Sequence, residues 1–275
     1  GVTTTVEAGT VAHPDRVAAA FRAVGVRGCI GTWGWDHGEG PFSLPTDEVM
    51  ARQRSVVEAN PSGGLVEGWV TLVGHDLASD QLFTEAADLA RTAGTGLTFH
   101  MSPSADDAIA FAEWSGKRPI RHLADLGVLG PQTLIAHAVH LDDDEVDLLV
   151  ETRTAVAYCP WAYLRLGQGV TTSGKHIEFQ KKGGRLALGC DTENAGDAID
   201  PLRVAVLTAG LARDMSTDPQ AFGAHAALEL LTIRGAEAIG MDDRIGSIEN
   251  GKAADLVVHD LSGIGSTPNA IDPAL

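Results

Sequence analysis

The sequence predicts an α/β fold of the (β/α)8 TIM-type barrel class, and three observations support this prediction. Seven short runs rich in apolar and β-branched residues alternate with helical stretches, always in the same order. Several runs, including TLIAHAV and LALGC, are apolar on both faces, which is typical of parallel strands buried on both sides. The repeat continues along most of the chain, which favours a barrel over an open doubly wound sheet.

The seven expected strands and their helices follow from these runs. The strands are expected at residues 2–7, 26–32, 65–72, 96–102, 133–141, 155–159 and 185–190. The helices are expected at residues 16–24, 46–59, 82–92, 106–114, 142–151 and 201–213. Residues 142–145 are all acidic and lie in a first turn, where the helix dipole favours negative charge. A complete barrel has eight strands, so one strand is unaccounted for.

The last part of the chain departs from the repeat. Two further helical stretches, 221–232 and 234–239, precede a turn-rich segment and a short expected strand at 255–260. We therefore divide the chain into a barrel domain over residues 1–240 and a separate segment over 241–275. The chain begins at Gly1 in the middle of a strand-like pattern, and we expect the sequence to be a piece of a longer protein.

Composition and charge narrow the class of protein. A chain of 275 residues with 44% hydrophobic and 21% charged residues can bury a large core. A net charge of −17 disfavours nucleic acid and anionic membrane surfaces as partners. No run of 18 apolar residues predicts a membrane span. The three cysteines (Cys29, Cys159, Cys190) are an odd number beside apolar runs, which indicates reduced core thiols in a cytoplasmic protein.

Polar residues at the ends of three expected strands indicate the candidate site. LTFH ends on His100, LIAH on His137, and LALGCD on Asp191. The carboxyl ends of the strands carry the active site in a (β/α) barrel, so these side chains should meet there. Burying such groups without partners costs free energy. Two imidazoles and a carboxylate suit a divalent metal ion such as zinc.

Five segments, in this order, resemble landmarks of the amidohydrolase superfamily. They are GVTTTVEAG, HLADLGVLGPQTLIAHAVHLDDDEVDLL, AVAYCPWAYLRLGQG, LALGCDTENAGDAIDPLR and GKAADLVVHDL. The resemblance is to the branch that holds cytosine, guanine and S-adenosylhomocysteine deaminases and s-triazine hydrolases. Within that branch, WGWDHGEGPF and HMSP resemble the hydroxyatrazine ethylaminohydrolases in particular.

The resemblance implies a metal-dependent hydrolase that cleaves a C–N bond on a nitrogen heterocycle and releases an amine or ammonia. The family holds its metal with a His-x-His pair on the first strand, a His on the fifth and an Asp on the eighth. The last two fall on His100 and Asp191, and the implied cofactor is one divalent ion, Zn²⁺ or else Fe²⁺. The His-x-His pair has no counterpart here, so the first barrel strand is expected to be missing. Absence of the ion from this chain therefore stays open.

The implied catalytic residues are His137 and Asp191. His137 falls on the sixth-strand His of the family, which contacts the attacking hydroxide or polarises the ring, and Asp191 takes the proton from water. Most deaminases of the branch carry Glu three residues after the fifth-strand His, but here that position is Pro103, which transfers no proton. Two alternatives stay open: a purine or pyrimidine deaminase with another proton shuttle, and a metal-free inert fragment or binding protein.

Several further residues are expected near a heterocyclic substrate, which would be the partner of this chain. The expected substrate-binding residues are Trp33, Trp35, Asp36, Ser102, Trp161 and Asn194, the tryptophans because an indole can stack on a ring. His75 has two interpretations, contact with the substrate and a plain loop histidine, of which the second is favoured. We expect His140 to be structural and His176 to be a surface or helix residue.

The resemblance also has consequences for the chain's ends and assembly. Complete relatives build a small β-sandwich from both ends of the chain, so residues 241–275 would be a partial β-sandwich segment. A homo-oligomer is expected, because relatives often assemble and an open barrel edge would need covering.

Overall fold

The computed structural model describes residues 1–39, 42–196 and 199–260, without the side chains of residues 193 and 194. Its strands are β1 (Thr4–Glu7), β2 (Arg27–Ile30), β3 (Val66–Gly68), β4 (Val70–Gly74), β5 (Leu97–Met101), β6 (Thr133–His137), β7 (Ala155–Tyr158) and β8 (Arg185–Leu188). Each pair of strands that is hydrogen-bonded within a sheet runs parallel.

Helices connect the strands and cover them. They are α1 (Pro14–Val24), α2 (Thr46–Ala59), α3 (Asp80–Ala93), α4 (Ala105–Ser115), α5 (Pro119–Asp125), α6 (Asp143–Glu151), α7 (Pro160–Arg165), α8 (Val170–Ser173), α9 (His176–Lys181), α10 (Glu193–Gly196), α11 (Pro201–Ser216), α12 (Ala224–Leu231) and α13 (Ile233–Ala238). Each helix expected from the sequence is present, with ends shifted by a few residues. A membrane crossing would need a longer and more apolar helix than any among the described residues.

The strand order confirms a partial barrel. The strands follow one another in chain order, as β1-β2-β3 and then β4-β5-β6-β7-β8. A bridge between Gly34 and Leu72 joins the two groups. Within the described residues, β1 and β8 pair on one side only, so the barrel is open between them.

The expected strand 65–72 is divided in two at Trp69. The side chain of Gln53, on α2, is fully buried where the strands separate. Its amide nitrogen donates to the carbonyl oxygens of Thr32 and Thr71, at 2.6 and 3.0 Å, and its oxygen accepts from the Thr71 N–H at 3.0 Å. Gln53 therefore supplies the hydrogen bonds that a neighbouring strand would otherwise make.

Two other expected strands differ in the structure. The run 133–141 leaves strand geometry at His137, because His137 and Ala138 take φ angles of 79° and 51°. Residues 255–260 form no strand within the described part of the chain. The segment is tied to the barrel instead by Asp255, which accepts from Arg27 Nε at 2.9 Å. The division at residue 240 stays a prediction.

The buried apolar side chains of the described residues form two main layers and a third, small cluster of Ala18, Ile30, Val56 and Val66. The larger layer lies between the strands and their covering helices. The smaller one lies on the inner face of the strands, where side chains of β2, β6, β7 and β8 and the indole of Trp69 meet residues 236–245. Its members are Cys29, Trp69, Leu134, Ala155, Ala187, Ala236, Ala238, Met241 and Ile245. The carboxyl ends of the strands are thereby left to polar residues.

Candidate active site

His100 reaches the barrel interior because of strand alternation. In β5, Leu97, Phe99 and Met101 pack into the outer layer, so His100 points to the opposite face. Its Nδ1 lies 2.8 Å from the carbonyl oxygen of Val73. A carbonyl only accepts, so Nδ1 carries the proton and Nε2 keeps a lone pair. The bond from Nδ1 fixes the orientation of the ring, and the unprotonated Nε2 is the nitrogen that is free to bind a metal ion.

His137 reaches the same place by a different route. It pairs with Met101 in the register of β5 and β6, so regular alternation would turn it toward the helices. Its left-handed conformation, with φ 79°, changes the direction of the side chain. The His137 ring centroid lies 5.2 Å from that of His100, at an interplanar angle of 34°. Its Nδ1 is buried and has no hydrogen-bond partner within the described residues.

Asp191 follows β8 and completes the group. The residue is exposed, and its Oδ1 accepts from the Thr192 N–H at 2.7 Å. Ligand atoms of His137, Cys159 and Asp191 all lie within 4.8 Å of one another. The structure therefore brings both expected catalytic residues together, and it adds a thiol that the sequence had indicated as core.

Backbone strain is concentrated around this group. His75, Ser102, His137, Ala138 and Asp191 all have φ between 51° and 79°, and all follow the ends of strands. A positive φ is unfavourable for residues other than glycine and is most frequent at functional sites. At His137 this conformation turns the side chain away from the helices that regular alternation would direct it toward.

Burial keeps the imidazoles of His100 and His137 neutral. Burial lowers the pKa of His100, and the nearby His75 lowers it further. Burial and the positive charges that His100 and His75 would carry lower the pKa of His137 to about 3. Burial, followed by the Asp191 carboxylate, raises the pKa of the Cys159 thiol. Neutral imidazole is the form that binds a metal ion.

The backbone of His137 is held from behind by two buried side chains. His176 Nε2 lies 2.6 Å from the His137 carbonyl oxygen, and the Tyr163 hydroxyl lies 3.4 Å from it. The His176 ring packs against Tyr158, with centroids 4.2 Å apart. The expectation that His176 is a surface residue was wrong, because it is only 4% exposed, although it does lie in a helix, α9. No feature of the local sequence distinguishes it from the other histidines.

His75 belongs to the site although it was expected to be a loop histidine. Its ring stacks on His100 at 5.9 Å, and its Nδ1 lies 2.6 Å from Asp107 Oδ1. The other oxygen of Asp107 accepts from the Ser102 N–H at 2.7 Å. In the sequence, the acidic pair Asp106–Asp107 at the start of α4 was a signal for a polar contact. Its position in the chain did not indicate that Asp107 lies beside His75.

Of the expected substrate residues, Trp33 packs its ring against a histidine of the site. Its ring meets His100 edge-on at 5.4 Å, and its buried indole N–H has no partner among the described residues. Trp35 packs edge-on against Phe42 at 6.1 Å. Trp161 is half-buried at the start of α7. A Cβ atom added at Gly196 would lie 3.6 Å from the Cβ of Trp161, so Trp161 lies beside the end of α10. The side chain of Asn194 is outside the described part.

Asp36 and Ser102 have structural positions that differ from the expectation. Asp36 accepts from the N–H and hydroxyl of Ser79, at 2.8 and 2.6 Å, and from the Thr46 hydroxyl at 2.6 Å. Its oxygens therefore fix the starts of α2 and α3. Ser102 has no exposed surface, so the structure offers no direct contact with a substrate. His140 is structural as expected, with Nε2 donating to the Gln168 carbonyl at 2.7 Å.

The residues present fit a divalent cation. His100 offers an unprotonated Nε2 fixed by the bond from Nδ1, His137 has an orphaned buried nitrogen, and Asp191 adds an accessible carboxylate. Nitrogen and oxygen donors of this kind suit zinc. Pro103 occupies the position three residues after His100 and brings no acid to it.

Comparison with known proteins gives a consistent result. The profile described as Amidohydrolase family matches residues 1–274. A 5-methylthioadenosine/S-adenosylhomocysteine deaminase of Symbiobacterium thermophilum is 31% identical over 262 residues, covering 93% of this chain and 58% of the relative. The chain thus spans little more than half the length of the curated relatives it matches.

Solved structures show the same architecture. An adenosine deaminase from Xanthomonas campestris with bound zinc is 27% identical with a TM-score of 0.90, over 97% of this chain and 60% of that one. An atrazine chlorohydrolase from Arthrobacter aurescens, complexed with zinc and atraton, is 22% identical with a TM-score of 0.87, over 100% of this chain and 63% of that one. The second likeness shows the fold alone.

Proposed function

The chain belongs to the amidohydrolase family, and on that premise we propose that it acts in the metal-dependent hydrolysis of a C–N bond on a nitrogen heterocycle. One observation carries the proposal: His100, His137 and Asp191 come from three strands and meet at one barrel mouth. Neutral imidazoles beside an accessible carboxylate are suited to ligation and proton transfer rather than to packing.

His100 and Asp191 are the residues that would hold the ion, His100 through Nε2. When bound, a zinc ion supplies Lewis acidity and lowers the pKa of water toward about 7. The bond from His100 Nδ1 to the Val73 carbonyl keeps the ring from turning, so the ligand nitrogen stays directed at the mouth.

Asp191 and His137 do the proton work in this proposal. Asp191 is exposed, so its carboxylate can accept a proton from the attacking water. His137 is buried and neutral, so it offers a hydrogen bond without bringing a positive charge into the site. The leaving amine departs with the electron pair of the C–N bond and takes up the proton.

A second candidate is deamination of an adenine nucleoside, because the relatives at 28–31% identity carry that activity in their names. Pro103 counts against a mechanism that needs an acid at that position. An s-triazine bearing an alkylamine is the first candidate substrate, in keeping with the WGWDHGEGPF and HMSP segments. Trp33, edge-on to His100, is placed to contact a flat ring.

The setting of the proposed enzyme follows from the same features. A small-molecule substrate fits an acidic chain better than a polyanion does. We place the protein in the cytoplasm because its thiols are free and two of them are buried. The outer edges of β1 and β8 favour a homo-oligomer, or a further strand, that covers them.

A side-by-side assay tests the proposal. The purified protein is loaded with Zn²⁺, its metal content is measured by elemental analysis, and it is given an N-ethylamino-s-triazine or 5-methylthioadenosine. Release of ethylamine that is lost in Asp191→Asn supports the first candidate, and release of ammonia alone supports the second. A protein that binds no metal and hydrolyses neither compound contradicts both and favours the inert alternative.

A further inference from the structure

Cys159 lies beside His137 and Asp191, but it has no role in the proposed reaction. A ligand atom of each of His137, Cys159 and Asp191 lies within 4.8 Å of the other two. These residues combine a nitrogen, a sulfur and an oxygen donor. His100, the expected metal ligand, is not one of the three, so this set shares His137 and Asp191 with the candidate site and has Cys159 in place of His100.

The position of the thiol is determined by its neighbours in β7 and after β8. Cys159 directly follows β7 and packs with the outer layer, and its sulfur still lies within reach of His137 and Asp191. A Cβ at Gly189 would lie 2.5 Å from the sulfur, so only glycine leaves room for it there. The sulfur is 4.0 Å from the Ala157 carbonyl oxygen, at the outer limit of a hydrogen bond. The Tyr163 side chain and the Asp191 backbone also lie within hydrogen-bonding reach of the sulfur, so an ion would compete with these two contacts for it.

The second observation is the state of His137. The residue is 9% exposed, and its Nδ1 has no hydrogen-bond partner in the described residues. An unsatisfied buried nitrogen costs free energy, which a ligand would recover. Its carbonyl is already held by His176, so the ring stays directed at the group rather than turning away.

We propose that His137, Cys159 and Asp191 form a binding site for a thiophilic divalent cation, namely Zn²⁺ or its analogue Cd²⁺. Sulfur and imidazole donors select such ions over Mg²⁺ and Ca²⁺, which prefer oxygen. Binding forms a sulfur–metal bond and breaks the S–H bond, and the thiol proton passes to solvent. An ion at this position would occupy both groups on which the proposed hydrolysis depends.

Cadmium titration in the absence of any substrate tests the site. Cd²⁺ alone is added to the purified chain, and the sulfur-to-cadmium charge-transfer absorption is followed in the ultraviolet. We expect one saturable band, with one equivalent of Cd²⁺ bound. Cys159→Ser should abolish the band, whereas Cys190→Ser and Cys29→Ser should retain it. A missing band in the wild-type chain, or a band that persists in Cys159→Ser, would overturn the proposal.

Asp191→Asn keeps the test decisive if Cys159→Ser does not fold. Asp191 is exposed and its φ is 60°, a conformation that asparagine also tolerates. The band should remain in this variant, but the dissociation constant for Cd²⁺ should rise by at least about tenfold. An unchanged dissociation constant would show that the ion binds elsewhere. Because no turnover is measured, failure of this site leaves the proposed hydrolysis to be judged separately.

Discussion

His176 donates a hydrogen bond from its ring Nε2 to the backbone carbonyl oxygen of His137, 2.6 Å away. The two residues are neighbours only in the folded chain, since one ends β6 and the other begins α9. The contact holds the left-handed backbone of His137, and this conformation directs the imidazole toward His100. The strain at His137 is therefore stabilised from the side opposite the site.

Two substitutions at His176 distinguish the effect of its N–H donor from the effect of its ring packing. His176→Phe keeps a ring against Tyr158 but removes the hydrogen bond, whereas His176→Gln keeps an N–H donor. We expect His176→Phe to lower kcat for C–N hydrolysis by about 10- to 100-fold with little change in KM. His176→Gln should retain most of the kcat. Equal losses in both variants would indicate that packing alone matters.

Acid should destabilise the fold through the buried histidines. Burial lowers the pKa of His176 to about 4. The unfolded chain, with an ordinary pKa of about 6.5, binds more protons between these values. The contribution of His176 is thus complete above pH 6.5 and is lost as the pH falls toward 4.

At about 1.4 kcal/mol per pKa unit, His176 should account for roughly 3 kcal/mol of this loss. Urea denaturation at pH 7 and pH 4.5 measures it. Between pH 7 and pH 4.5, the wild-type chain should lose about 2 to 3 kcal/mol more of its free energy of unfolding than His176→Phe does. The same loss in both proteins would contradict the assignment.

Pro103 offers a direct test of the missing proton shuttle. Pro103→Glu places a carboxylic acid three residues after His100, where the deaminases of the branch carry one. We expect it to raise the rate of ammonia release from a purine or pyrimidine at least tenfold over Pro103→Gln, which has the same size and no acid. Equal rates in the two variants would show that the site already contains its proton donor.

Gln53 should be important for stability and not for chemistry. Gln53→Leu leaves the Thr71 N–H and the carbonyl oxygens of Thr32 and Thr71 without their buried partner. We expect the free energy of unfolding to fall by about 2 to 4 kcal/mol. Gln81→Leu, on the exposed face of α3, is the matched control and should change it by less than about 0.5 kcal/mol. A loss below 1 kcal/mol in Gln53→Leu would argue against this role.

Asp36 was expected to bind substrate, and the structure leads to the opposite prediction. Asp36→Asn exchanges one of the two accepting oxygens for an NH2 donor, so stability should fall by about 1 to 2 kcal/mol while KM changes less than twofold. Thermal unfolding and steady-state kinetics measure the two effects. Glu39→Gln, exposed in the same loop, should alter neither. A large rise in KM with unchanged stability would restore the original interpretation.

Much of the fold could be predicted because it depends on local patterns. The apolar runs predicted each strand from β1 to β8 within a few residues, apart from the division at Trp69. The acidic run at 142–145 predicted the start of α6, where Asp142 and Glu145 form a capping box. The interior direction of His100 also follows from alternation, since period-two geometry is a property of the strand itself.

What the sequence alone determined is thus the order of strands and helices, the partial barrel, and the presence of His100, His137 and Asp191 at strand ends. Only the tertiary structure decided how His137 turns, because a positive φ there depends on Tyr163 and His176 from other elements. It also decided that Asp36 accepts hydrogen bonds from Ser79 and Thr46 and that Cys159 adjoins Asp191. These contacts join residues far apart in the chain, and no local pattern encodes the distance between them.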